Sequence, residues 1–349
     1  GILGGGGGGG LGSSGGTGGF GAGGGGAVTG GLGGGGFGAA GGNGASDPSG
    51  VGGGGGGSGL GGAIFVQSGG TLTVVDAADI SGNTAMAGTG GGSSNAADPN
   101  YVAAGNGIAM GQDIFVREQG ALVFDLSNAL NIATPIEGDQ TNGPGGSGGL
   151  QKIGAGTLNL HGTNTYSGTT AVDDGTLNLN GSVMGNTAVG AAGTLSGNAT
   201  VLGNLTNAGT LAPGNSIGTI HTANLSLAAS SVLKMEITSA EGSDLVSAAG
   251  TAQLTGTLEI KLDSAAYQAG SYTLLTSSAL TGTFGAITFA GPKPAAYSIA
   301  YLPVGAPTYV QLTLPTRPVS PVPTLNTWFL CTLLLGLLSA GAFGIRRLK

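Results

Sequence analysis

Residues 154–181 read GAGTLNLHGTNTYSGTTAVDDGTLNLNG, and one phrase occurs in them twice. Gly-Thr-Leu-Asn-Leu stands at 156–160 and again at 175–179. In each copy leucine alternates with a small polar residue, Leu158 and Leu160 in the first and Leu177 and Leu179 in the second. A period of two sends alternate side chains to opposite faces of a strand, so both copies are strands with one row inward. Gly154, Gly156 and Gly175 free the backbone where each strand begins, and Asp173-Asp174-Gly175 and Asn180-Gly181 predict turns. Gly156 opens the first copy and Gly175 the second, and Gly193-Thr-Leu, Gly209-Thr-Leu and Gly218-Thr-Ile follow. One strand phrase for roughly every 20 residues means a stacked solenoid. Leu158, Leu160, Leu177, Leu179 and Leu195 are expected to point into one continuous interior.

The longer stretch 150–177, LQKIGAGTLNLHGTNTYSGTTAVDDGTL, resembles the passenger-associated transport repeat of bacterial autotransporters, with that family's Asn-Thr-Tyr-Ser-Gly at 164–168. The phrase Gly209-Thr-Leu-Ala-Pro-Gly-Asn-Ser-Ile-Gly-Thr-Ile-His is also common in such passengers. The resemblance implies an all-β chain folded as a right-handed parallel β-helix outside a Gram-negative cell.

Composition agrees with an extended stack. The 349 residues include 80 glycines, and only 7% are charged, which is not the composition of a compact enzyme. A solenoid grows without a single large core and takes small residues at its corners. The formal charge is -7, and without Arg346, Arg347 and Lys349 there are 6 basic against 16 acidic residues. No basic cluster is dense enough to bind nucleic acid by counterion release. The single cysteine, Cys331, sits in an apolar segment, so no disulfide framework or cysteine metal site is expected. The sequence begins without an initiator methionine or signal peptide and is expected to be a fragment or a processed form.

Residues 1–60 form a glycine-rich low-complexity region. Glycine fills more than half of positions 1–62, and the first charge is Asp47. Such a stretch buries too little apolar surface to offset its chain entropy and is expected to be disordered. Coils built around Leu11, Phe20, Val28, Leu32, Phe37 and Val51 are the alternative.

Coils are expected over 61–227. GGAIFVQSGGTLTV at 61–74 predicts two strands about a Gly-Gly turn, and it recurs fifty residues later, pairing Ile64 with Ile114, Phe65 with Phe115, Val66 with Val116 and Leu72 with Leu122. The insert at 89–101 is loop-like, and 137–149 predicts a linker. Gly61-Gly-Ala-Ile and Ile80-Ser-Gly-Asn83 also resemble the paired motifs of polymorphic outer-membrane proteins, with Ile80 in place of phenylalanine. Residues 228–314 resemble the closing end of autotransporter passengers, which implies a cap.

Residues 315–324 form a proline-rich linker and 325–349 a transmembrane anchor. The uncharged stretch 328–345 would span about 27 Å as a helix. Arg346, Arg347 and Lys349 behind it form a basic stop for the cytoplasmic side. Val322, Pro323, Thr324, Leu325 and Trp328, with the apolar run and the arginines, resemble the IPTL-CTERM sorting tail, with Val322 for that family's isoleucine. The resemblance implies a membrane-embedded sorting protease as partner. A permanent single-span anchor is the alternative.

Chemistry-bearing patterns are few. Gly214-Asn-Ser-Ile-Gly218 fits the G-x-S-x-G elbow, with His221 just beyond, but the elbow needs a strand running into a helix. Here turn chemistry is followed by another strand phrase, so Ser216 and His221 are expected to be structural. His161 is expected at an exposed turn. No catalytic, cofactor-binding or metal residue is assigned, no cofactor is expected, and the chain is expected not to be an enzyme. The expected function is a surface-displayed, structural or adhesin-like β-helix that meets a host or neighbouring-cell ligand. A polysaccharide-active β-helix is the alternative, drawing on Asp173, Asp174, Glu236, Glu241, Asp244, Glu259 and Asp263.

Overall fold

The structure is a computed structural model, and it describes residues 58–77, 79–90, 106–139, 148–238, 242–262, 269–291 and 293–315. All secondary structure among these residues is β-strand. The strands wind into a parallel β-helix with three faces, and from Ile114 to Ala290 each turn of the chain adds paired backbone to each face.

On the first face Ile64–Val66, Ile114–Val116 and Ile136–Gly138 pair in parallel. Farther along, this face is built from the end of Thr170–Val183, then Ala199–Val201, Thr219–Thr222, Leu245–Ala248 and Gly270–Thr276. The second face runs Thr71–Val75, Ala121–Asp125, Gly149–Ile153, the starts of Thr170–Val183 and Thr187–Gly197, and then Leu205–Asn207, Leu225–Leu227, Thr251–Leu254 and Ala279–Gly282. The third runs Leu130–Ile132, Thr157–Asn164, the two long strands, Thr210–Pro213, Val232–Thr238, Thr257–Leu262 and Ala286–Ala290.

The repeated phrase sets the register. Thr157 to Leu160 pair with Thr176 to Leu179, position for position, so leucine stacks on leucine. The row continues through Leu130, Leu158, Leu177, Leu195, Leu211, Leu233 and Leu258, none more than 1% exposed. The expected interior is therefore present, with Leu160 and Leu179 also buried. The step from one stacked partner to the next is uneven, shortest from Leu195 to Leu211 and longest from Leu258 to Ile287. The faces keep their register while the corners absorb the difference.

The fifty-residue repeat is stacking too. Ile64, Phe65 and Val66 lie over Ile114, Phe115 and Val116, and Leu72 over Leu122. The rings of Phe65 and Phe115 are parallel, with centroids 5.9 Å apart. The two strands flanking the Gly-Gly turn do not pair with each other. They lie on different faces, and the turn is a corner.

Three sequence expectations change on folding. Asp173-Asp174-Gly175 is no turn: Thr170–Val183 runs through it as one strand, with only a register shift between Val172 and Asp174. The expected linker begins and ends in strands, since Glu137 and Gly138 belong to Ile136–Gly138 and Gly149 opens Gly149–Ile153. His161 sits inside a strand, with Nε2 3.0 Å from Asn131 Oδ1. In each case backbone pairing with the neighbouring coil outweighs local turn preference. Most of the insert at 89–101 lies outside the described residues.

The Asn-Thr-Tyr-Ser-Gly phrase is a corner whose polar groups are buried. Asn164 accepts from Ile136 N at 2.8 Å and donates to the Ser182 carbonyl at 3.0 Å, so one amide joins three successive coils. Tyr166 is 1% exposed and hydrogen-bonds Thr170 Oγ1 at 2.8 Å. A side chain at Gly168 would meet the Gly148 carbonyl oxygen at 2.1 Å, so only glycine lets the two backbones approach.

Among the described residues the inward row of the second face holds a charged side chain. Lys152 is fully buried in the second-face row between Phe124 and Val172. Its ammonium donates to the carbonyls of Ile153 at 2.7 Å, Gly154 at 2.5 Å and, from the next coil, Asp174 at 3.3 Å. Burial pushes its pKa below the usual lysine value, and the charges of Asp174 and Asp125 oppose that shift.

Parallel pairing runs on to Ala286–Ala290. Antiparallel pairing then closes the first face, where Tyr309–Leu314 lies between Gly270–Thr276 and Ser298–Leu302. No helix among the described residues is long and apolar enough to cross a membrane, and residues 325–349 lie outside them.

Because the leucine row is continuous, Leu177→Ala leaves a cavity that neighbouring coils cannot close. The expected loss is about 2–5 kcal/mol of unfolding free energy. Denaturant unfolding of the variant checks this, and a midpoint equal to wild type would show that the stack does not depend on Leu177.

Candidate functional site

The candidate site lies on the outer surface of the third face, beside the loop that carries the G-x-S-x-G match. Thr210–Pro213 ends there, the loop passes Gly214, and Thr219–Thr222 begins. The arrangement is strand–turn–strand, without the helix that a nucleophile elbow needs. Gly214 has φ +77 and exchanges backbone hydrogen bonds with Gly197, at 2.9 and 3.2 Å. Ser216 and His221 are both exposed. His221 points outward from the first face between Thr200 and Ser247, and no hydrogen bond joins it to Ser216 among the described residues. The pair forms no catalytic diad.

Beside the loop the outer surface becomes charged. Lys234 is in register with Glu259, and Glu236 with Lys261. The pairs close at 3.7 Å for Lys234–Glu259 and 2.6 Å for Glu236–Lys261, so charge alternates along each strand and across the coils. Aligning Leu233-Lys-Met-Glu-Ile with Leu258-Glu-Ile-Lys-Leu would have shown this crossing in the sequence. In the sequence Glu236 and Glu259 stand only among the available carboxylates, and nothing local joins them to Lys261 and Lys234. The quartet and the loop form a groove of about 190 Å³ whose loop wall includes Pro213, Asn215 and Ser216. A second hollow of about 230 Å³ shares Ser216, Glu236 and Lys261 with it.

Asp244 anchors the groove from beneath. Its side chain has no exposed surface. One oxygen accepts from Gly218 N at 2.8 Å and the other from Glu236 N at 2.7 Å, which fixes the loop to strand Val232–Thr238. Burial raises its pKa from 3.8 to about 6. The two backbone N–H groups pull it down, Glu236 pushes it up and Lys261 pulls it down.

Of the seven carboxylates named from the sequence, three meet here: Glu236, Asp244 and Glu259. Asp173 and Asp174 lie away from them and serve the fold. Asp173 accepts from Gln151 Nε2 at 2.5 Å, and Asp174 Oδ1 from its neighbour Gly175 N at 2.7 Å. Glu241 and Asp263 lie outside the described residues, as do Val322, Pro323, Thr324, Leu325 and Trp328 of the sorting motif and the basic stop Arg346, Arg347 and Lys349. Among the described residues no group of three or more histidine, cysteine, aspartate or glutamate side chains is placed to hold a metal ion.

Residues 150–179 match the passenger-associated transport repeat. They form the coils that carry Lys152, Asn164 and Tyr166. Two relatives from Serratia marcescens, each named extracellular serine protease, are 44% identical over 107 residues and 43% identical over 86. The alignments cover 28% and 22% of this chain but 10% and 8% of the relatives, so the chain spans about a tenth or less of their length. This chain carries an autotransporter-passenger type of β-helical repeat.

The raised pKa of Asp244 carries a sign. An acid with a raised pKa binds its proton more tightly in the folded state, so its contribution to stability is full below pH 3.8 and lost as pH rises through about 6. Asp244→Asn removes this ionisation. Its stability relative to wild type should rise between pH 4.5 and 7 by about 2 kcal/mol, at about 1.4 kcal/mol per pKa unit. Parallel unfolding curves at the two pH values measure the difference, and a constant difference would contradict the assignment.

Proposed function

We propose that this chain is the passenger-type column of an exported protein, displayed at the cell surface, where it acts as an adhesin-like binding element. The observation that carries the proposal is the transport repeat embedded in a continuous parallel stack. Neutral outer rows such as Asn159, Asn178, Ser196 and Ala212 support it, because they give a long, regular surface with little charge. Serine protease activity is not part of the proposal, since the shared stretch is about a tenth of each relative and Ser216 has no histidine partner.

Display would use the tail. Val322, Pro323, Thr324, Leu325 and Trp328 are the proposed recognition motif for a membrane-embedded sorting protease, with Arg346, Arg347 and Lys349 held on the cytoplasmic side. A second reading, a polysaccharide-active enzyme, is favoured by one observation, the meeting of Glu236, Asp244 and Glu259 in one groove.

In native cells, adhesion to a neighbouring-cell or host surface should fall on deletion of residues 61–314 and return on complementation. Unchanged adhesion would count against the binding role. Mass spectrometry of the surface-extracted protein should show loss of residues 328–349, and alanines at Pro323, Thr324 and Leu325 should block that loss. Retention of those residues in the wild type would leave the permanent anchor. New reducing ends released from a polysaccharide, and lost in Glu236→Gln, would establish the enzyme instead.

A further inference from the structure

The geometry points to the groove beside Ser216 as a binding subsite for a neutral, hydroxyl-rich saccharide. The inference rests on the adhesin-like reading above and names the class of ligand that the surface would take.

Stacking does not require charge at this place. The same outward row is Asn159, Asn178, Ser196 and Ala212 in the preceding coils and stacks without it. In a chain with 7% charged residues, four charges then fall on two adjacent strands opposite one loop. Each ammonium is paired with a carboxylate of the adjacent coil, so the four formal charges cancel in pairs. Asp244 offers no free oxygen to a ligand, because it is buried and both its oxygens accept from backbone N–H groups, and its negative charge lies beneath the floor of the groove.

Paired charges over one further carboxylate do not suit a phosphate or sulfate polymer, and no group of carboxylates among the described residues is placed to hold a metal ion. The floor still presents strong hydrogen-bonding groups. Glu236 and Glu259 each meet a lysine through one oxygen, which leaves the other to accept a hydroxyl proton. Ser216 both donates and accepts, and Asn215 gives its Nδ2 to Asn180 Oδ1 at 3.3 Å, which keeps its carbonyl oxygen for a ligand. Pro213 and the lysine stems supply an apolar wall. Sugars share this division, with hydroxyl edges around an apolar ring face. The volume, about 190 Å³, admits a sugar ring, and the adjoining hollow of about 230 Å³ extends the track for a linear chain. Preorganisation comes from the loop: Gly214 and Gly218 are packed so closely that a side chain at Gly218 would meet Gly214 Cα at 2.3 Å.

The test titrates the full chain with cellohexaose, maltohexaose and chitohexaose, with hexagalacturonate as the acidic comparison, by calorimetry. At least one neutral hexamer should bind, and more tightly than hexagalacturonate. Glu236→Gln with Glu259→Gln should weaken that binding tenfold or more. Asn215→Ala with Ser216→Ala, which leaves the ion pairs intact, should weaken it several-fold with an unchanged unfolding midpoint. Absence of heat with all three neutral hexamers, preference for the acidic one, or binding that survives both double variants overturns the subsite. Cell adhesion measured with the same variants separates the two ideas. Adhesion without hexamer binding sinks the saccharide subsite alone, whereas loss of adhesion on deleting residues 61–314 is what the broader reading requires.

Discussion

The described coils depend on the parallel backbone pairing of one with the next. Strands on a face lie about 4.8 Å apart, so each residue sees mainly the residues directly above and below it. That spacing makes like stack on like. Leu158, Leu177 and Leu195 share one vertical row, and Asn178 Nδ2 reaches Asn159 Oδ1 at 2.9 Å on the opposite side of the same strands. Parallel pairing also leaves the corners as the places where backbone groups need other partners. The polar side chains with structural roles gather there: Asn164 bridges coils inside one corner, and Asn224 Nδ2 meets Asn204 Oδ1 at 2.8 Å at another.

This division explains what could be read before folding. The leucine row was legible because Gly-Thr-Leu recurs with its alternation intact, and the stacked fifty-residue repeat because Ile-Phe-Val is copied letter for letter. Corner chemistry was not. Asp173-Asp174-Gly175 has the composition of a turn, yet inter-coil pairing holds it in a strand, and nothing local in the sequence marks Lys152 as buried between Phe124 and Val172. A fixed period also fails as a ruler, because the step per coil is far shorter from Leu195 to Leu211 than from Leu258 to Ile287.

The candidate site shows the same limit in another form. The G-x-S-x-G match falls on the loop that walls the groove, without the helix an elbow needs. Its glycines serve close backbone approach and its serine lines a groove, while the informative residues lie one and two coils further along the chain. Lys234 and Glu259 are a full coil apart, and nothing local marks them as partners. Only register brings them together. Asp244 was named among the available carboxylates, but its role as the tie between loop and strand follows from its two backbone donors.

Lys152 has a consequence for how the column is assembled. Two of its carbonyl partners belong to its own corner, but the third, Asp174 O, arrives only with the following coil. A growing end that stopped short of Asp174 would leave the ammonium open to water, with only the carbonyls of its own corner. Adding the next turn covers it and supplies the missing acceptor in the same step. The two turns therefore form one cooperative unit, and the residues of the transport repeat, 150–179, encompass it. In an otherwise additive stack this is a stitch: one side chain on one turn is held by a carbonyl of the next, and that tie is made or lost with the whole turn.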